Sequence, residues 1–342
     1  MPRLPVAGGS DALTSASRLL SPEEIAVRAG SETAFLRLPA PATLFSERAI
    51  RLRQRAAGHP MRDYLLFAAE VAEAQHRTVA HYPEVALPDS AAIDAAESRI
   101  EPPLPVSTWR RDPAWQTGLH ALLDTLAERL PAGAPAAAVV ARLRATDAAE
   151  VERQADRLLA AIPVGLDVAT APLIGAGLQL YWSTLVDRTA RTLGERAFGR
   201  TGTATRCPCC ASPPTASVLR IGGDESGTRS LHCSLCSAQW HYVRIKCAHC
   251  ESTKGIHYQT LEGRTEASAA GGAPAGRGPA VKAECCDTCK HYLKIVQMDV
   301  DAEVEPVADD LATLPLDLLL SESGYAPAGV NLLIVFGDPG GD

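Results

Sequence analysis

The chain has 342 residues, is 46% hydrophobic with few aromatics, and carries a net charge of −7 with a pI near 5.8. That balance suits a soluble, alanine- and leucine-rich helical protein and excludes one drawn to nucleic acid or anionic membrane by its overall charge. All ten cysteines lie between Cys207 and Cys289. A disulfide-stapled protein would not leave its larger part without a bridge, so the clustering points to metal or redox chemistry in a reducing compartment.

The chain has room for two or three domains, and a body of about 200 residues can bury its own core. The opening Met-Pro-Arg-Leu-Pro leads into polar sequence without the apolar run of a secretory signal. Residues 164–182 are the most apolar stretch, but they contain Asp167 and three glycines and read as a buried helix, not a membrane span. A cytoplasmic protein without membrane insertion is expected.

Residues 1–20 read as a loose lead-in. Ser21-Pro22-Glu23-Glu24 opens a helix, with serine as N-cap, proline at the first helical position and glutamate closing a capping box. Residues 45–57 and 61–81 are helical by their apolar spacing and are separated by Gly58-His59-Pro60. The proline-rich stretch 101–105 is a connector, and residues 113–130 form a helix ended by Pro131-Ala132-Gly133. Asp147 and Glu150 begin another helix that stops before Pro163, and residues 173–200 continue the pattern. Residues 21–200 are therefore expected to be a helical domain.

From residue 201 the composition changes. Short β-branched runs at 216–221, 240–245, 255–260 and 291–296 read as strands between cysteine pairs and glycine turns. Residues 263–279 are low-complexity and read as a surface loop. After Lys294 every charged residue is acidic. Within the segment 299–342, residues 309–320 are expected to form one acidic helix and the rest a tail. The acidic residues read as a solvated face, or as a surface for a basic stretch of a partner.

Four Cys-x-x-Cys pairs carry the chemistry: Cys207–Cys210, Cys233–Cys236, Cys247–Cys250 and Cys286–Cys289. Two intervening residues let a tight turn, or knuckle, aim both sulfurs at one ion while backbone N–H groups face the thiolates. Two knuckles complete a tetrahedral four-sulfur site for zinc or a mononuclear iron. His241-Tyr242-Val243-Arg244-Ile245 follows the second pair and His291-Tyr292-Leu293-Lys294-Ile295 follows the fourth. This repeat describes two consecutive modules, over 201–245 and 246–298, each built as knuckle, hairpin, knuckle, strand. Sequential pairing of the knuckles follows, with an interleaved arrangement as the alternative.

Cys209 and Cys285 are left over, either as bystanders or as substitute ligands or reactive thiols. With eight matched thiolates, His232, His241, His249, His257 and His291 are not needed as ligands and read as supporting or surface residues. Trp240 reads as the apolar plug of a module too small for a core of its own, or as a partner contact.

The run Cys207-Pro208-x-Cys210, then Leu231-His232-Cys233-Ser234-Leu235-Cys236 with Trp240-His241 and Arg244-x-Lys246-Cys247-x-x-Cys250, resembles the FdhE family of formate dehydrogenase accessory proteins. Lys282-Ala283-Glu284-Cys285-Cys286-x-x-Cys289, Tyr292-Leu293-Lys294 and residues 307–312 carry the same resemblance, which extends more loosely over residues 51–67. The chain departs from that family in having Ala211, Ser237, Glu251 and Lys290 where glycine often follows the second cysteine of a knuckle. It also has Cys285 where a non-cysteine residue is common. The resemblance implies a mostly α protein: an N-terminal helical bundle, two small rubredoxin-like (zinc-ribbon-like) β modules and an acidic C-terminal helix and tail. It implies two metal ions, iron or zinc, held by the eight paired cysteines, and a cytoplasmic role in maturing respiratory formate dehydrogenase by binding its catalytic subunit before export.

Two other functions compete. A zinc-ribbon nucleic-acid-binding protein would want a basic cluster with interleaved aromatics, whereas residues 201–300 have only a thin basic excess. A rubredoxin-like electron-transfer protein or thiol oxidoreductase is the third reading, although Cys-x-x-Cys redox chemistry needs a βαβ context that short strands do not supply. The sequence shows no phosphate loop, no nucleophile elbow and no metal site with an open position, so no enzyme is expected.

Overall fold

A computed structural model describes residues 34–220, 227–261 and 278–334. The lead-in, the helix expected from Ser21, most of the low-complexity segment and the last eight residues lie outside the described residues.

A short strand, β1 (Leu36–Arg37), precedes seven helices: α1 (Pro41–Ala56), α2 (Arg62–Val79), α3 (Ser90–Arg99), α4 (Ala114–Arg129), α5 (Pro135–Arg144), α6 (Ala148–Leu159) and α7 (Ala171–Leu193). Proline sits in the first turn of α1, α5 and α7, where a missing N–H costs nothing. Asp89 and Asp147 cap α3 and α6 by accepting from Ala92 N and Ala149 N. The expected helix over 173–200 stops at Leu193, because Gly194 takes a positive φ of 87°. α3 and α5, short and alanine-rich, were not expected from their weak periodicity.

α7 is apolar nearly all round and runs buried through the body, which explains its membrane-like composition. No helix among the described residues is long and apolar enough to cross a membrane. Tyr181 and Trp182 of α7 join Trp115 and Phe45 in one core.

The remaining strands are β2 (Pro214–Leu219), β3 (Arg229–Cys233), β4 (Gln239–His241), β5 (Ile256–Gln259), β6 (Val281–Cys286) and β7 (His291–Gln297). After them come α8 (Pro306–Leu311), α9 (Leu314–Glu322) and β8 (Ala326–Pro327). Helices and a mixed eight-stranded sheet thus share the described residues, a larger β contribution than a mostly α protein implies. The sheet order is β1-β4-β3-β2-β7-β6-β5, with β8 on β7. Within each module the strands are antiparallel, and β2 and β7 join the modules as a parallel pair with Ser217 opposite Ile295. The order 4-3-2 followed by 7-6-5, with parallel contact between them, is a translational repeat. The two His-Tyr segments are not equivalent, however: His291 starts a full strand, whereas the chain leaves the sheet after His241.

The acidic C-terminal segment differs most from expectation. Among the described residues it forms two helices, not one, and Asp301, Glu305, Asp309, Asp310 and Asp317 are paired internally, whereas Glu303 and Glu322 stay exposed. Arg48 Nε donates to Glu305 (3.1 Å), and Arg51 donates to both oxygens of Asp309 (2.8 and 2.9 Å) and to Asp301 (2.6 Å). The sequence therefore hid a basic face of α1 that matches the acidic segment. Residues 326–334, expected as tail, form a strap between the sheet and the helices. Ala328 N donates to Tyr292 O and Val330 N to Pro214 O. Any Cβ on Gly329 would strike the Thr215 carbonyl, and one on Gly175 the Leu332 carbonyl, so both positions need glycine for close approach.

Candidate metal centres

Two sulfur quartets form at the same end of the sheet, because β3 and β6 run parallel and each ends in a cysteine pair. Cys207, Cys210, Cys233 and Cys236 come together in one, and Cys247, Cys250, Cys286 and Cys289 in the other, with each set of Sγ atoms within 4.8 Å. β3 and β6 are three strand spacings apart, about 14 Å, so the quartets are separate.

Three knuckles close through a backbone bond from the residue after the second cysteine to the carbonyl of the first. Ala211 N donates to Cys207 O, Glu251 N to Cys247 O and Lys290 N to Cys286 O. The residues after the second cysteines, Ala211, Ser237, Glu251 and Lys290, all take the left-handed backbone, with φ of 61°, 61°, 59° and 56°. The turn thus imposes on side-chain-bearing residues the conformation that glycine takes freely. Backbone N–H groups point back at sulfur: Cys209 N donates to Cys207 Sγ, Leu235 N to Cys233 Sγ and His249 N to Cys247 Sγ, each at 3.4 Å.

The sulfur spacing tests the fit of an ion. Metal–sulfur bonds of about 2.3 Å in a tetrahedron place sulfurs about 3.8 Å apart. The first quartet shows 3.5, 3.5 and 3.7 Å, and the second 3.8 Å twice. Four thiolates this close repel one another, and a cation at their centre offsets that repulsion. Burial acts to raise the thiols of Cys207, Cys233 and Cys236. Against it, neighbouring sulfurs hold Cys207 well below its usual range, while Cys233 and Cys236 stay well above theirs.

The quartets differ in setting. All four sulfurs of the first are fully buried and belong to the main core with Trp182 and Trp240. The helical body grips their knuckles. Leu104 N and Val106 N donate to the carbonyls of Cys209 and Cys210, Gln179 Nε2 donates to Ser234 O, and Arg48 reaches Ser237 Oγ at 3.4 Å. The stretch expected as a plain connector is therefore a strap on the first knuckle. In the second quartet Cys250 is exposed and Cys289 half-buried. His249 and His291 stack beside it, ring centroids 3.7 Å apart.

The leftover residues now have places. Cys209 is buried in the core beside the first quartet, and Cys285 packs with Ala283, Tyr292 and Leu320, where burial pushes its thiol up to about 11. Neither joins a quartet. Trp240 is buried and donates to Ala204 O (2.8 Å), closing the first module as a plug. His232 is fully buried, both ring nitrogens lack a partner among the described residues, and burial pushes its pKa down to about 3. His241, His249, His257 and His291 lie at half-buried or exposed positions.

Sequence reasoning missed Arg229 and Glu284. Arg229 Nη1 and Nη2 donate to the two Glu284 oxygens at 3.0 and 2.9 Å, with both side chains buried, so β3 of one module is clamped to β6 of the other. A buried arginine opposite a buried glutamate leaves no spacing signal between residues 55 apart.

A helical body bearing two knuckle modules fused into one sheet, each with a closed four-cysteine group that could hold a metal ion, defines a protein of zinc-ribbon-like construction. Family models described as FdhE N-terminal, FdhE central domain and FdhE C-terminal domain match residues 33–195, 206–244 and 245–334. An FdhE homolog from Stutzerimonas stutzeri is 38% identical over 323 residues, covering 94% of this chain and 99% of that one. One from Cronobacter sakazakii is 37% identical over 304 residues, covering 89% and 92%. The crystal structure of the FdhE protein from Pseudomonas aeruginosa superposes with a TM-score of 0.76 at 35% identity, covering 89% of this chain and all of that one. The chain belongs to the FdhE family of formate dehydrogenase accessory proteins.

Proposed function

We propose that the protein is a cytoplasmic, non-enzymatic assembly factor that binds the catalytic subunit of respiratory formate dehydrogenase before export. We further propose that the eight paired cysteines hold two metal ions, iron or zinc. The observation that carries this reading is the pair of closed sulfur quartets on one sheet. Four protein ligands leave no position for substrate, which suits a structural or electron-carrying centre and not a catalytic one. Bound zinc would add rigidity alone, and bound iron would add a one-electron couple without a change of ligands. The nucleic-acid reading loses support because Arg229 and Lys294 are buried in ion pairs and unavailable to phosphates.

Protein purified without oxygen should carry two ions per chain, red if ferric and colourless if zinc, and should form a saturable complex with the apo-catalytic subunit. Fewer than two ions at full occupancy would remove the metal assignment. Failure to form the complex would remove the client assignment.

A further inference from the structure

A cavity of about 340 Å³ opens where the end of α6, β7, α8, α9 and the 326–334 strap meet, with no quartet cysteine in its lining. Its walls are apolar, with Ile162, Leu166, Leu314, Val330 and Leu332 among them, and its floor holds Lys294, Asp310 and Asp317. Lys294 Nζ donates to Asp317 Oδ2 (2.5 Å) and Asp310 O (2.8 Å) and lies 3.3 Å from Asp310 Oδ1. Tyr292 OH donates to Asp317 Oδ1, and Asn331 Nδ2 to Asp310 Oδ2.

Two carboxylates thus face one ammonium, and access is unequal. The lysine side chain is 1% exposed, whereas those of Asp310 and Asp317 are 16% and 22% exposed. A visitor to the cavity meets carboxylate edges, with the cation sealed behind them. Thr215 also lines the cavity, and its buried hydroxyl has no hydrogen-bond partner among the described residues. Ile162 of the wall is 48% exposed, and Val164 and Leu318, next in sequence to the lining residues Pro163 and Asp317, are 67% and 58% exposed.

We propose that this groove binds an extended segment of a partner protein in which an arginine or lysine stands among apolar residues. The basic side chain enters toward Asp310, Asp317 and Thr215, and its apolar neighbours cover Ile162, Val164 and Leu318. Charge complementarity selects the cation. The exposed apolar lips select a peptide over a free amine, since they extend beyond the reach of one side chain. A second copy of this chain is disfavoured, because a symmetric contact at this face brings like charges together. The inference does not depend on which client the family serves.

The test uses the full-length, metal-loaded protein and fluorescein-labelled Ser-Leu-Ala-Arg-Leu-Ala-Ser, read by anisotropy. Replacing the probe's arginine with citrulline should weaken binding about tenfold or more. Asp317→Asn should do the same, as should Ile162→Lys, a change at an exposed position that keeps the fold testable, with bound metal and circular dichroism unchanged. The proposal is overturned by no saturable binding up to about 1 mM, by equal affinity for the citrulline peptide, or by indifference to Ile162→Lys. It is equally overturned if N-acetyl-arginine amide binds as well as the peptide, or if the protein forms a dimer that Ile162→Lys dissolves.

Discussion

A left-handed backbone costs a residue with a Cβ about 1–2 kcal/mol, partly offset in glycine by the extra freedom it loses on folding. Ala211 and Ser237 both hold φ of 61° in the first quartet's knuckles, yet opposite outcomes are expected. Ala211→Gly removes only the strain and should stabilise by about 0.5–1 kcal/mol. Ser237→Gly relieves the same strain but takes an acceptor from the buried Arg48, a loss of about 1–3 kcal/mol that outweighs the gain. Urea midpoints at equal metal content check both. Glu152 gives the pH prediction. Burial would raise its pKa, but hydrogen bonds from Trp115, Arg111 and Gln116 hold it below the ordinary 4.5. The folded state therefore binds this proton less tightly than the unfolded chain, and the stabilisation is complete above that value and lost as pH falls through the lowered one. With the carboxylate about one-third exposed, Glu152→Gln should cost only about 1 kcal/mol at neutral pH. The gap to the parent protein should close in acid, as urea unfolding near pH 7 and about pH 3 would show. Residues of these two kinds were not equally legible. The cysteine spacing marks the strained position after each knuckle, whereas nothing near Glu152 in sequence announces Trp115 or Arg111.

At the scale of elements, strands were harder to read than helices. The helical pattern located α1, α2, α4, α6 and α7 to within a few residues, except at the end of α7. β3 and β6 escaped because both are covered on nearly every residue, so neither shows the alternation that marks a strand with one wet face. For the same reason the sequence describes two modules but not their fusion, which depends on β2 meeting β7 in parallel and on the Arg229–Glu284 clamp. The clamp has a defined energetic consequence. Glu284→Ala strands a buried guanidinium and should destabilise by about 3–5 kcal/mol. Arg229→Met with Glu284→Leu should recover most of that loss, since no charge is then left unpaired in the interior. A double-mutant cycle from chemical unfolding checks it. Additivity of the two single changes would mean that the pair is not coupled.

Across the whole molecule, the two quartets stand in different relations to the core. The first is part of it: its cysteines pack with Trp182 and Trp240, while α1, α7 and the 104–106 strap bond its knuckles. The second lies outside that core. Tyr242 OH bonds Cys247 O and Tyr325 OH bonds Asp287 beside it, but one of its sulfurs is exposed and another half-exposed. Opening the first quartet to a chelator means breaking the contacts that define the fold, so an ion bound there would be held by the stability of the body. Opening the second means moving one surface knuckle. A chelator should therefore remove the ions in two phases, the second quartet's first. Cys250→Ser should abolish the fast phase and leave the helices' hydrogen-exchange protection intact, whereas Cys233→Ser should lower protection along α7 as well as metal content. A single release phase, or equal loss of α7 protection in both variants, would show that the quartets share one fate. It would also show that the asymmetry of burial has no energetic counterpart.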